Sequence, residues 1–292
     1  IPWNREAKEV EAEYKKGNAG RFAPGLPSKS DGQMLFLLNG VAKLKDDGQM
    51  AIIQNGSSLF TGDAGSGQSE IRRYLIENDW LDAIVQLPTN AFYNTGIATY
   101  IWIVTKNKPI HRRGKVQLID ASGCGMPRRK NIGSKNTDIS QHCREVVVKA
   151  YGEFSNGTFE GIDENGNKIN AKSKIIDVID FGYNKITVES PETDESGNIV
   201  LKKGKPVADS AKRDTENVPL AEDIDDYFER EVVPYNPNAW IDKKKTKVGY
   251  EIPFTRTFYE YKQIESSEVI AIRIEEHERS LMAKLHNLFG EV

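Results

Sequence analysis

The sequence predicts an α/β fold in which one sheet is parallel at first and ends in an antiparallel pair of strands. Helical and β-branched apolar patterns alternate over the first 120 residues, as they do where helices connect strands. The link between the runs that end at Val85 and begin at Thr99 has no crossover helix, so these two strands are expected to be antiparallel. The length of 292 residues favours about two domains.

The chain begins with a segment that is charged and then rich in Gly, Pro and Ser, which predicts a weak helix over residues 5–16 and a flexible loop after it. Asp31 is a good N-cap, and apolar residues at helical spacing predict a helix over residues 32–45. The compact apolar run at residues 49–54 predicts a strand that is buried on both faces.

A glycine-rich loop over residues 55–67 precedes a predicted helix at residues 69–78. Such a link between a strand and a helix invites a phosphate-binding interpretation, and with it a nucleotide-binding enzyme. The segment GDAGSGQS lacks the Lys of a P-loop and the G-x-G-x-x-G order of a dinucleotide fold. A flexible lid or surface loop is therefore favoured over a phosphate site.

Residues 81–106 organise the rest of the chain, because two predicted strands, 81–85 and 99–105, flank an aromatic loop. This loop, called here the aromatic turn, consists of Phe92, Tyr93, Asn94, Thr95 and Gly96. Its Asn and Gly favour turn geometry. One ring could face a ligand with a flat π surface, or Phe92 could close the end of the sheet as a core residue, which is the commoner role of an aromatic side chain.

A further strand is predicted at residues 115–120, after which the sequence becomes polar and basic. The basic residues are Arg128, Arg129, Lys130 and Lys135. They could contact phosphate, although a charge run of this length is more often a solvated surface. A helix is predicted over residues 139–154.

The last part of the chain is less regular. We predict one strand over residues 175–189, a short acidic helix at 225–233, an aromatic-rich extended segment at 249–261 and an amphipathic helix at 265–289. The apolar positions of this last helix keep close to a heptad that Glu278 interrupts: Ile264, Ala271, Ile274, Leu281, Leu285 and Leu288. The helix could dock on its own domain or pair with helices of another chain.

Composition limits the choice of function. The net charge of −3 gives no global reason to expect an anionic partner, so a nucleic-acid surface would have to be local. The two cysteines lack CxxC spacing, and the four histidines are too scattered for a metal site of recognised spacing. No run approaches the roughly 18 apolar residues of a membrane-spanning helix. We expect an intracellular protein that binds neither a metal nor a membrane.

Five segments, in this order and spacing, resemble the modification (methyltransferase) subunit of type I restriction-modification systems. They are DGQMLFLLNGVAKLKDDGQMAIIQNGSSLF at 31–60, IRRYLIENDWLDAIVQLPTNAFYNTGI at 71–97, LIDAS at 118–122, FGYNKITVESP at 181–191 and GYEIPFTR at 249–256. Each is weak alone, but together they are specific. The resemblance implies an adenine-N6 DNA methyltransferase that uses S-adenosylmethionine, located in the cytoplasm of a prokaryote.

The resemblance also implies an architecture: the C-terminal half of a Rossmann-like methyltransferase sheet with an antiparallel final strand pair, an irregular α+β region, and a C-terminal helix. The corresponding domains are 1–120, 121–262 and 263–292. The family's Asn-Pro-Pro-aromatic motif would lie immediately upstream of Ile1, and its cofactor motif further upstream. No catalytic residue is therefore assigned in this chain, and we expect it to be a fragment that is inactive alone.

The resemblance also implies a role for the aromatic turn, which would form one wall of the target-base pocket. A methyltransferase must flip its target base out of the duplex, and an aromatic ring can stack on that base. Phe92 is the first choice for this contact and Tyr93 the second, with Asn94, Thr95 and Gly96 shaping the wall. The implied partners are DNA, a specificity subunit and a restriction subunit. The alternative is a non-catalytic module that only contacts other subunits.

Overall fold

The computed structural model of the chain describes residues 2–261 and 265–290. These residues fall into two compact units that divide between Thr257 and Phe258. Ile1, next to which the absent motif is predicted, and Ile264 of the predicted heptad lie outside the described residues.

The helices of the described residues occur at both ends of the chain and between strands. They are α1 (Ala7–Tyr14), α2 (Gln33–Lys43), α3 (Ser57–Phe60), α4 (Gly67–Glu77), α5 (Gln141–Glu153), α6 (Ile224–Glu231), α7 (Phe254–Thr257) and α8 (Ser267–Phe289). The helices predicted over 32–45, 69–78 and 139–154 are confirmed. Ser66 and Ser140 cap α4 and α5, since each hydroxyl oxygen accepts a hydrogen bond from the backbone amide three residues later.

The strands found among residues 2–261 and 265–290 belong to four sheets. They are β1 (Gln49–Asn55), β2 (Leu81–Gln86), β3 (Thr99–Thr105), β4 (Lys115–Asp120), β5 (Met126–Ile132), β6 (Lys135–Asp138), β7 (Gly157–Ile162), β8 (Lys168–Asp177), β9 (Gly182–Glu189), β10 (Leu201–Lys202), β11 (Lys205–Pro206), β12 (Asp214–Pro219), β13 (Trp240–Ile241) and β14 (Lys247–Tyr250). The predicted mixed α/β class is confirmed.

The main sheet has six strands in the order β1-β3-β2-β4-β8-β7. As predicted, β2 and β3 are antiparallel. The expectation that β3 is an added edge strand is wrong, because β3 lies inside the sheet and is also paired with β1. β1 and β2 are both antiparallel to β3 and hence parallel to each other, and β2 is parallel to β4. The sheet continues through β8 and β7, so the predicted domain division at residue 120 falls inside it.

Helices α2 and α5 cover opposite faces of this sheet. Gly40 of α2 lies against Met50, whereas Ile103, which is paired with Ala51, packs on the core cluster that α5 completes. Successive strand residues point to opposite faces. The prediction that β1 is buried on both faces is wrong, since Ala51 is exposed and the side chain of Ile53 is 48% exposed.

The predicted strand at residues 175–189 is in fact two strands of different sheets. β8 ends at Asp177, a 3₁₀ turn covers Val178–Phe181, and β9 then begins a second sheet with β12, β13 and β14. Phe181 is buried in this turn and fixes the change of direction. The segment predicted as extended at 249–261 forms the end of β14 and then the short helix α7.

Candidate functional site

The carboxyl ends of three parallel strands define the edge of the sheet where a ligand would bind. β1 ends at Asn55, β2 at Gln86 and β4 at Asp120. In open α/β sheets, ligands bind in the crevice beyond the carboxyl ends of the strands. The aromatic turn belongs to the connection from β2 to β3, and therefore lies at this edge.

The aromatic turn is a tight reversal of the backbone. Phe92 and Thr95 form an isolated antiparallel bridge, which leaves Tyr93 and Asn94 at the apex. Asn94 adopts a left-handed conformation with φ of 55°, which Asn tolerates better than most residues. A Cβ atom at Gly96 would lie 2.9 Å from the side-chain oxygen of Asn90, so a side chain at this position would displace the Asn90 amide. The predicted turn geometry is thus the observed one.

The two rings of the turn have different surroundings. Phe92 is half-buried and packs against the core cluster that includes Val85, Leu87 and Ile119. Tyr93 is 62% exposed. One side of the Phe92 ring is therefore held by the core, whereas the Tyr93 ring is open to solvent. The sequence allows two interpretations of Phe92, as a core residue and as a ligand contact. A half-buried ring is compatible with both.

The four basic residues lie on a hairpin formed by β5 and β6, called here the basic hairpin. This hairpin is joined to the loop that contains the aromatic turn, because the amides of Asn136 and Thr137 donate to the carbonyl oxygen of Asn90 over 3.2 Å each. At the tip of the hairpin, a Cβ atom at Gly133 would lie 3.2 Å from the side-chain oxygen of Asn94. The structure thus brings the predicted base-pocket residues and the predicted phosphate contacts together.

The basic residues are not equally available to a ligand. Arg128 donates to Asp138 over 2.6 Å, and the ammonium nitrogen of Lys135 lies 3.1 Å from the same carboxylate. Hydrogen bonds from Arg128 first, and then from Lys135, hold the pKa of Asp138 below its usual value. Arg129 and Lys130 are exposed. The positive potential of the hairpin is therefore partly compensated at Arg128 and Lys135.

One buried cation was not anticipated from the sequence. Arg72 is fully buried, and its guanidinium donates to the carbonyl oxygens of Tyr250 over 2.6 Å and of Ser58 over 3.0 Å. Burial lowers the pKa of Arg72 to about 10. The signal was present in the sequence, because helical spacing places Arg72 on the same face of α4 as Leu75 and Ile76. Arg72 thus fastens both the glycine-rich loop and the end of β14 to helix α4.

At the end of the glycine-rich loop, the space where a phosphate would bind is filled by the protein's own backbone. A Cβ atom at Gly67, the first residue of α4, would lie 1.7 Å from the carbonyl oxygen of Leu26. Backbone thus covers the helix N-terminus where a phosphate would bind. Helix α3 lies within this loop, and Arg72 donates to the carbonyl oxygens of Ser58 and Gly62 in it.

The N-terminus of α4, at the end of the glycine-rich loop, has no room for a phosphate, because the backbone of Leu26 lies against Gly67. Among the described residues, no three His, Cys, Asp or Glu side chains come close enough to hold a metal ion. No helix in the described part of the chain is long and apolar enough to cross a membrane.

What the site can do chemically follows from its parts. An exposed and a half-buried aromatic ring provide π surfaces, and the neighbouring hairpin provides cations for an anionic backbone. The arrangement is suited to binding a flat, uncharged group that is attached to a polyanion.

A model of the family described as N-6 DNA methylase matches residues 1–196. The chain is 35% identical over 88 residues to the type I restriction enzyme MjaIX methylase subunit of Methanocaldococcus jannaschii, a match that spans 30% of the chain and 15% of that protein. It is 31% identical over 146 residues to the MpnII methylase subunit of Mycoplasma pneumoniae, which spans 49% of the chain and 25% of that protein.

Among solved structures, the chain is similar to a type I restriction-modification system methyltransferase subunit from Streptococcus thermophilus. The identity is 28% and the TM-score 0.43, and the match covers 56% of this chain and 31% of that one. These matches span between 15% and 31% of the proteins concerned. Because the family model covers more than half of its residues, the chain belongs to the N-6 DNA methylase family.

Proposed function

We propose that this chain is part of the DNA-methylating subunit of a type I restriction-modification enzyme, which transfers a methyl group from S-adenosylmethionine to N6 of adenine in DNA. The observation that carries the proposal is the position of the aromatic turn. It lies at the carboxyl edge of the sheet and beside the basic hairpin. Because the chain belongs to the N-6 DNA methylase family, we interpret this position as part of the target-base pocket.

In this proposal, the aromatic turn forms one wall of the pocket for the flipped adenine. Base flipping removes the stacking of the target base within the duplex, and a protein ring must replace it. Such stacking contributes about 1–3 kcal/mol per base. Phe92 has the rigid support that an oriented contact requires, because the core holds one side of its ring. Tyr93 is the alternative, since its ring is exposed.

The basic hairpin supplies phosphate contacts in the same proposal. Arg129 and Lys130 are exposed and would neutralise phosphates flanking the flipped base. Arg128 and Lys135 would contribute less, because each is also bonded to Asp138. The cofactor and the groups that orient the adenine amino group would be supplied by the preceding part of the longer polypeptide. The sequence that is methylated would be read by a specificity subunit.

The base contact can be tested by fluorescence anisotropy with two DNA duplexes, one fully paired and one with a single adenine opposite an abasic site. We expect the chain to bind the second duplex at least about fivefold more tightly, as the stacking energy implies. Phe92→Ala should remove this preference, whereas Phe92→Tyr, which keeps a ring, should retain it. Tyr93→Ala with Tyr93→Phe as its control tests the alternative ring.

An unchanged preference in both alanine variants would refute the assignment of the aromatic turn.

A second measurement tests the assignment of the absent motifs. Transfer of labelled methyl groups from S-adenosylmethionine to DNA should remain at background with the chain alone. Appreciable turnover by the chain alone would refute the view that the methyl-transfer groups lie in another part of the polypeptide.

A second candidate function, a module that contacts other subunits, is favoured by the surface of α8. This helix has 23 residues, and the apolar side chains that the structure describes on it are exposed. Ala271, Ile274, Leu281, Leu285 and Leu288 follow the spacing of a coiled-coil seam, which Glu278 interrupts. We propose the specificity subunit as the partner of this seam, and the restriction subunit as a further member of the assembly.

A further inference from the structure

An exposed apolar side chain lies at the tip of the basic hairpin. Ile132 is the last residue of β5 and is paired with Lys135, so residues 133 and 134 alone form the turn between the two strands. Gly133 has a φ of 58°, the left-handed conformation that such a two-residue turn requires. Ile132 is 40% exposed, and it is the one apolar residue among the exposed positions 129–134. The tip thus presents an aliphatic group from an otherwise polar segment.

The free cations of the hairpin directly precede this isoleucine. Residues 128–131 of β5 stand opposite the single residue 136 of β6, because the strand register shifts between Pro127 and Ile132. A bulge of this kind turns side chains away from the regular ladder. It carries Arg129 and Lys130, both of which are exposed. Cations that can reach phosphates therefore lie beside an aliphatic group that cannot bind one.

The hairpin tip is held against the aromatic turn. A Cβ atom at Gly133 would lie 3.2 Å from the side-chain oxygen of Asn94, which is at the apex of that turn. Further along the hairpin, the amides of Asn136 and Thr137 donate to the carbonyl oxygen of Asn90 over 3.2 Å. Contacts at two levels thus fix the tip relative to the turn. Ile132 is the direct chain neighbour of the residue that meets the apex.

The chemistry of a flipped base explains why an aliphatic group would lie there. A base that rotates out of a duplex leaves a gap whose floor and ceiling are the apolar faces of the adjacent base pairs. Proteins that distort DNA frequently insert Ile, Leu, Phe, Met or Pro between base steps. A lysine or arginine head group would lose its hydration between these faces without gaining a partner. An exposed isoleucine flanked by cations fits the gap and its charged border.

We propose that Ile132 is the wedge of this chain, the side chain that enters the base stack and fills the space left by the flipped adenine. The proposal rests on the proposed function, in which the aromatic turn holds the flipped base and the basic hairpin contacts the flanking phosphates. A flipped base and the gap that it leaves belong to one nucleotide step. The groups that bind them must therefore be neighbours, as the aromatic turn and the hairpin tip are.

A duplex in which a tetrahydrofuran abasic site replaces one adenine opposite thymine tests the wedge. It offers a gap but no base for the aromatic turn, so its binding does not depend on the roles of Phe92 and Tyr93. In fluorescence anisotropy, the chain should bind it about threefold or more tightly than the fully paired duplex, because the gap buries the exposed part of an isoleucine. Ile132→Ser should remove this preference, whereas Ile132→Leu, which keeps an aliphatic group, should retain it.

Ile110→Ser is the matched control. Ile110 is 83% exposed and precedes β4, so it lies at the edge of the main sheet opposite the aromatic turn, and its replacement should keep the preference. Thermal melting checks that Ile132→Ser folds as the parent chain does, as expected for a change at an exposed position.

Equal affinities of the parent chain for the two duplexes, or a preference that Ile132→Ser retains, would overturn the wedge. Neither result bears on the adenine preference that tests Phe92 and Tyr93, so the wedge and the base contact can fail separately. Failure of the chain to bind any of these duplexes would refute the proposed function and the wedge together.

Discussion

Asp138 sets how much positive charge the basic hairpin presents. It accepts from Arg128 and lies 3.1 Å from the ammonium of Lys135, so one carboxylate partly compensates two cations. Its lowered pKa means that the carboxylate stays ionised throughout the neutral range, and the compensation therefore persists. The sequence contains this acidic residue beside the basic run, but only the hairpin geometry pairs Asp138 with Arg128, ten positions earlier.

We expect Asp138→Asn to increase the affinity of the chain for duplex DNA about threefold or more and to steepen the salt dependence by about one unit of slope, because a freed cation can contact a phosphate. Anisotropy titrations at several salt concentrations measure both quantities. Glu160→Gln makes the same change of charge at an exposed position on β7 and is the matched control. Equal titrations of Asp138→Asn and the parent chain would argue against phosphate contacts by this hairpin.

Also at the scale of single residues, sequence reasoning identified the aromatic turn but could not rank its two rings by burial. Adjacent aromatics in a loop can both face the solvent, and local propensity does not determine which one the core holds. The packing of Phe92 against Val85 and Ile119 decides this, and both of those residues belong to strands. The roles proposed for Phe92 and Tyr93 stay predictions.

At the scale of elements, α5 is fixed to the main sheet by a buried polar network centred on Arg112. The guanidinium donates to Asp82 of β2 over 2.7 Å, to Gln117 of β4 over 3.0 Å and to the carbonyl oxygen of Tyr151 of α5 over 3.1 Å. Burial, and next the hydrogen bond to Asp82, raise the pKa of Tyr151 to about 12. The single side chain of Arg112 thus joins two strands and a helix.

Replacing Arg112 should therefore destabilise the whole sheet. Arg112→Met leaves the buried Asp82 carboxylate without its cation, and we expect the free energy of unfolding to fall by about 3–5 kcal/mol. Urea denaturation followed by circular dichroism measures this loss. Arg113→Met, at the exposed neighbouring position, should change the free energy by less than about 1 kcal/mol. A loss for Arg112→Met no larger than that of the control would contradict a structural role for the network.

For the main sheet, the sequence predicted the strands but not their order. The runs at 81–85, 99–105 and 115–120 are strands, as their composition predicted. Their order is different, since β3 is inserted between β1 and β2 and does not close the sheet at its edge. Local composition encodes that a segment is a buried strand. It does not determine which other apolar strand pairs with that strand on its second side.

At the scale of the whole molecule, the two compact units allow the roles of the sheet and of α8 to be separated. Deleting residues 265–292 should leave the urea midpoint of the first unit unchanged, because the division between the units precedes this segment. The same deletion should abolish binding of a separately produced specificity subunit, measured by size-exclusion chromatography or calorimetry. The variant Phe92→Ala is the control and should retain that binding. Binding that survives the deletion would exclude α8 as the contact.

The sequence by itself determined the class of the fold, the positions of the main helices and strands, and a resemblance to one family of DNA methyltransferases. These properties follow from periodicity, capping and motif order, all of which are local or linear. Tertiary structure alone decided that the basic hairpin lies beside the aromatic turn, that Arg72 is buried against the glycine-rich loop and that β3 lies inside the main sheet. Each of these depends on contacts between residues that are distant in the chain, which chain connectivity and packing determine together.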